Sequence, residues 1–82
     1  MRGELMSIEK REEIKRYIKS TNIKAGCVYK HTENGKLIRV LGIGLEAVSL
    51  IPKVIYVEVN DIEWKNLCTE NLDSIKEKLI IN

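Results

Sequence analysis

Asn34-Gly35 stands between two alternating apolar runs, residues 25–31 (AGCVYKH) and residues 36–45 (KLIRVLGIGL). Both residues accept positive φ, so the pair predicts a β-hairpin and commits the middle of the chain to antiparallel pairing. A two-residue loop pairs Glu33 with Lys36, His31 with Ile38 and Lys30 with Arg39, which puts Arg39 on the face opposite Tyr29 and His31. In the second run Leu37, Leu41, Ile43 and Leu45 share a face with Arg39, while Ile38, Val40, Gly42 and Gly44 share the other. Two apolar faces predict a strand that is central or covered on both sides. Gly42 and Gly44 predict a bend or bulge of the kind that closes small barrels.

The flanking segments extend this plan. Pro52 ends the next connection, because its ring cannot donate to a ladder. Residues 53–59 (KVIYVEV) then predict a third strand, Asn60-Asp61 a turn, and residues 62–68 (IEWKNLC) a fourth strand with Trp64 upon it. Residues 7–20 predict a helix capped by Ser7, with an apolar stripe at Ile14, Tyr17 and Ile18. Leu72, Ile75 and Leu79 predict a closing helix over residues 69–80. The expected fold is α+β: a small, strongly bent antiparallel sheet or SH3-like barrel over residues 23–68, flanked by an N-terminal and a C-terminal helix in one domain spanning 1–82.

A chain of 82 residues buries only about 60–65% of its unfolded surface. The core must be aliphatic, since Phe is absent and the aromatics are Tyr17, Tyr29, Tyr56 and Trp64. So thin a core favours a homo-oligomer, a dimer in the simplest case. Residues 1–24 carry seven Lys/Arg against four acids, residues 25–53 four against two, and residues 54–82 three against six. The first two thirds are therefore basic and the last third acidic. Cys27 and Cys68 lack C-x-x-C spacing and predict reduced core thiols in the cytoplasm. No apolar run reaches the ~18 residues of a membrane span, and Glu4, Glu9, Glu12 and Glu13 interrupt any signal-peptide core. The expectation is a cytoplasmic protein without a membrane partner.

Gly26, Tyr29 and His31 form a G-x-x-Y-x-H motif, followed by Gly35 and by Val40 and Gly42 in a strand ending V-x-G. Val54-Ile55-Tyr56 and Trp64 continue the pattern. In these residues the chain resembles an uncharacterised family of small bacterial domains. The resemblance implies an SH3-like barrel and, the family having no settled activity, no particular function. Lys65-Asn66-Leu67 stand where the family carries an Arg-Pro pair.

His31 is the only histidine, so one chain cannot supply a two-His metal site or a relay. Cys27 and His31 share a strand face but stand about 13 Å apart. Glu58 and Glu63, on the third and fourth expected strands, could face each other, yet no pocket is indicated for paired acid–base work. No phosphate-loop, dinucleotide or nucleophile-elbow motif occurs, and the expectation is no enzyme, no metal and no cofactor. What is left is a binding surface. Tyr29 and His31, with Tyr56 and Trp64, offer rings for stacking, and Lys30, Lys36 and Arg39 offer charge for a phosphate. This predicts a non-enzymatic module capturing an anionic, ring-bearing ligand: a nucleotide, a cyclic-nucleotide-type signal or a nucleic-acid segment. The alternative is a protein–protein interaction module acting through the N-terminal helix or a sheet edge. A lysine- and isoleucine-rich chain of this size would suit an inhibitor from a phage or mobile element.

Overall fold

The computed structural model describes residues 8–81. In order they form α1 (Ile8–Ser20), β1 (Val28–His31), β2 (Leu37–Leu45), β3 (Pro52–Glu58), β4 (Cys68–Asn71), α2 (Leu72–Ile75) and β5 (Leu79–Ile81). The five strands make one open antiparallel sheet in the order β4-β3-β2-β1-β5, with β2 at its centre as its two apolar faces predict. Expected for residues 7–20, the first helix is present, although Ser7 lies outside the described residues.

The hairpin forms with a different loop. Tyr29 pairs with Ile38 and Lys30 with Leu37, two positions away from the expected Lys30–Arg39 register. Only Gly35 adopts positive φ, at 72°, and its N–H donates to the His31 carbonyl at 2.8 Å. Asn34 instead accepts the Lys36 N–H on its Oδ1 at 2.9 Å. An Asx-type contact thus replaces the second left-handed residue that a two-residue turn requires, and the loop lengthens to residues 32–35. A shift of two preserves parity, so Arg39 lies opposite Tyr29 and His31 as expected.

Parity breaks further along β2. Val40 pairs with Tyr56 but Gly42 with Ile55, which leaves Leu41 as the extra residue of a bulge. From there Ile43, paired with Val54, packs against the core, and Gly42 and Gly44 turn to the other face. The period-2 reading that grouped these glycines with Ile38 and Val40 fails at this point. Pro52, expected to stop pairing, opens β3 opposite Leu45.

The C-terminal third departs most. Residues 62–67, expected as strand, are a loop, and β4 begins at Cys68 where the fourth strand was expected to end. The helix expected over residues 69–80 is the single turn of α2, with strand before and after it. Leu72 and Ile75 do form the buried helical pair, but Leu79 faces His31 across the β1–β5 ladder. Cys27 and Cys68, expected in the core, are free and exposed, and Cys27 precedes β1 instead of lying within it. No described helix is long and apolar enough to cross a membrane.

The main core cluster lies on one face of the sheet, while Val57, paired with Arg39, is buried on the other. Tyr29, Ile38, Val40 and Val54 meet Ile23, Leu72 and Ile75, with Tyr17 and Ile18 of α1 packed against them. Both helices therefore serve the same face. From Asn71 the chain must pass from one sheet edge to the other through α2 and a tight turn, closed by Lys78 N–H to Ile75 O at 2.8 Å. Eight steps of helical or 3₁₀ rise from Asn71 to Leu79 cover about 12–16 Å, whereas four flat interstrand spacings need about 19 Å. The sheet must curl to let this short connection close.

Leu72 and Ile75 are fully buried, whereas Ile80 is 55% exposed. Ile75→Ala should lower unfolding free energy by about 2–5 kcal/mol and Ile80→Ala by about 0.5 kcal/mol or less. Urea denaturation of the two variants measures the difference.

Candidate binding surfaces

The curled face gathers polar groups from opposite ends of the sheet. Glu70 of β4 accepts hydrogen bonds from Tyr56 Oη at 3.3 Å, Ser74 Oγ at 3.2 Å and Lys78 Nζ at 3.0 Å. His31 Nε2 of β1 stands 3.4 Å from the Glu70 Oε1. Its Nδ1 accepts the Glu33 N–H at 3.3 Å, so the neutral ring carries its proton on Nε2 and donates to Glu70. Lys78 also reaches Glu33 Oε2 at 3.1 Å. His31 is 3% exposed, and its ring lies 6.2 Å from that of Tyr56.

Burial pushes the Glu70 carboxyl up, but hydrogen bonds from Lys78 and His31, the Lys78 charge and Ser74 outweigh it and hold it below the usual carboxylate range. Lys78 is raised, chiefly by hydrogen bonds to Glu70 and Glu33. Burial, together with the Glu70 charge and the neighbouring Cys68, pushes the Tyr56 phenol up to about 12.

His31, Glu33 and Glu70 place ligand atoms within 4.8 Å of one another. A metal, however, would need the Nε2 lone pair, and that nitrogen holds its proton because Nδ1 faces a backbone donor. Lys78 already supplies the cation between the two carboxylates. The group is a satisfied polar network joining β1, β4, α2 and the β5 approach. His31 is its buried member, while Glu33 stands at the exposed rim.

The structure divides the residues expected to bind a ring-bearing anion. Tyr29 is 4% exposed, its hydroxyl accepting the Lys24 N–H at 2.9 Å and donating to the Asn22 carbonyl at 3.2 Å. Tyr29 and His31 therefore hold the core and the hairpin base, not an exposed stacking rim. Tyr56 joins His31 on the curled face, but Trp64 does not. Lys30 and Arg39 project from the opposite face, and Lys36 pairs with Glu58 at 3.4 Å. Glu58 and Glu63 do not meet, for Glu63 pairs with Lys65 at 3.0 Å.

Trp64 occupies a site that strand periodicity concealed. It lies in the 59–67 connection at φ 56°, a left-handed conformation that no strand contains. Asp61 builds this loop. Its carbonyl accepts the Trp64 N–H at 3.2 Å, and its carboxylate accepts the N–H groups of Lys65 at 3.0 Å and Asn66 at 2.8 Å. Those two backbone bonds, Asn66 first, hold the Asp61 carboxyl below its ordinary value. Braced in this way, the loop exposes Ile62 at 84%, Trp64 at 54% and Leu67 at 57%. The readable signal was Asp61 itself, since Asp after Asn favours side-chain capture of the next backbone donors.

Comparison with family models, curated proteins and solved structures found no match.

The network sets a pH dependence. A depressed Glu70 contributes stability that is present above its unfolded value near 4.3 and lost as pH falls through the lower folded value. Tyr56 and Lys78, both raised, contribute stability that is present below their unfolded values and lost as pH rises; for Tyr56 the loss runs from about 10 to about 12. Glu70→Gln should cost about 1–3 kcal/mol at neutral pH and flatten the acid limb. Thermal melts across pH measure both effects.

Proposed function

We propose that this chain is a non-enzymatic protein–protein interaction module whose anchor is the Trp64 loop. The observation that carries this reading is a strained, exposed tryptophan held in place by Asp61 and flanked by Ile62 and Leu67. A left-handed non-glycine residue costs about 1–3 kcal/mol and concentrates at functional positions. Tryptophan is enriched among residues that dominate binding energy. A braced loop also loses little entropy on docking, so its apolar side chains convert more of their burial into affinity.

The absence of catalysis belongs to the same proposal. Both nitrogens of the only histidine are engaged, and the carboxylates around it are satisfied by Lys78, Tyr56 and Ser74. Capture of a nucleotide is less well supported, because Tyr29 and His31 present no ring face to solvent. Likeness to the small-barrel family is also part of the proposal: the curled sheet supports it, and β4 and β5 would be the strands meeting at closure. An inhibitor or adaptor would need no more than such a loop. A homodimer could bury the same apolar residues, and light scattering of the purified chain separates that outcome from a foreign partner.

Affinity capture from extracts of its native cells, with wild type, Trp64→Ala and Asp61→Ala as baits, tests the proposal. Trp64→Ala should weaken the captured complex about 30-fold or more, as expected for an anchor worth about 2 kcal/mol or above. Its melting temperature should hardly move, since the side chain is outside the core. Asp61→Ala should weaken binding less and increase acrylamide quenching of Trp64 fluorescence. Undiminished capture by Trp64→Ala would overturn the reading.

A further inference from the structure

The face of the sheet away from the helices has its own chemistry. Val28 and Lys30 of β1, Leu37 and Arg39 of β2, Lys53, Ile55 and Val57 of β3 and Ile80 of β5 share it by register. A sheet face left to water normally carries polar side chains at these alternate positions. Here five of the eight are aliphatic: Val57 is buried, while Leu37 is 40% and Ile80 55% exposed. The other three are cations: Lys53 pairs with Glu46 at 3.2 Å, whereas Lys30 and Arg39 are exposed and neither has an ion-pair partner among the described residues. No Asp or Glu occupies a strand position on this face: β4 contributes Thr69 and Asn71, while Glu70 points into the network beneath. The bulge at Leu41 also turns Gly42 toward it, with nothing within 4 Å of where a Cβ would stand. The floor beside the cations is therefore bare and open to close approach.

We propose that this face binds an acidic amphipathic helix of a partner protein. Aliphatic side chains there need an apolar partner, and Lys30 and Arg39 need carboxylates, so one helix face bearing both satisfies the whole surface. Such a helix would complete a second layer on the sheet, opposite the one that α1 and α2 build. Charge argues against a second copy's α1 as the occupant. Residues Ile8–Ser20 hold five Lys/Arg against three Glu, and like charges juxtaposed across an interface repel. Nucleic acid fits less well, because no aromatic side chain lies on the face to stack a base. The proposal rests on observations separate from the Trp64 loop and names a second surface.

The test uses a fluorescein-labelled helical peptide with Leu on one face and Glu flanking it, its Gln-for-Glu counterpart, and an oligothymidine of equal charge. Fluorescence anisotropy against the full chain should show saturable binding of the acidic peptide that weakens with salt. The Gln counterpart should bind about tenfold more weakly, the cost of one lost charge pair. Arg39→Glu and Lys30→Glu should each weaken binding of the acidic peptide about tenfold or more, with circular dichroism unchanged. Leu37→Ser should weaken both peptides alike, whereas Trp64→Ala should leave them unaffected. No binding of the acidic peptide, binding indifferent to both charge reversals, or tighter binding of oligothymidine would overturn the proposal. If Trp64→Ala alone abolished peptide binding, the loop and not this face would be the site.

Discussion

Glu70 is the group on which the shape of this protein depends. It lies on an edge strand, yet it takes hydrogen bonds from β3, from α2, from the approach to β5 and from β1, three positions away in the sheet. A flat sheet would separate β1 from β4 by about 14 Å, so these contacts exist only because the sheet curls over the core. The curl in turn lets a four-residue helix carry the chain from one edge to the other. A carboxylate so enclosed is costly unless every lone pair is used. Lys78, His31, Tyr56 and Ser74 use them.

The bulge at Leu41 does the complementary work. It bends the central strand and exchanges its faces, sending Ile43 into the core and the two glycines outward. One extra residue thus deepens the apolar cluster and empties part of the opposite face. The molecule becomes two-sided: one side closed by helices and a satisfied polar network, the other a mixture of aliphatics and cations that is buried at Val57 and exposed at Leu37, Lys30, Arg39 and Ile80. Glu70, His31, Tyr56 and Lys78 are gathered and paired on the first side, whereas Lys30 and Arg39 project from the second.

The candidate site shows where sequence reasoning meets its limit. Tyr29 and His31 are adjacent on one strand face, and that much was legible from their spacing. Whether the face looked out or in was not, since period-2 alternation defines two faces without saying which is buried. β1 is only four residues long, so local pattern supplied no vote, and the packing of Leu72 and Ile75 decided it. Trp64 illustrates the reverse error. Ile62, Trp64 and Asn66 alternate like a strand, but Asp61 captures the backbone donors a ladder would use, and a local side-chain contact defeated a weak periodic signal.

Sequence alone determined what nearest neighbours along the chain can settle. It determined the first helix, the central hairpin and its turn glycine, the bulge region, the third strand and the antiparallel α+β character, since each follows from backbone propensity and spacing within a few residues. Tertiary structure decided everything that needed a partner distant in sequence. It cut the last helix to one turn, because Leu79 gains a sheet position beside His31 that a continued helix would forfeit. It brought Glu70 and Lys78, eight residues apart, onto His31 from the far edge of the sheet. It also left Trp64, Lys30 and Arg39 facing water. Long-range pairing and burial select among locally equivalent choices, and no local pattern carries that information.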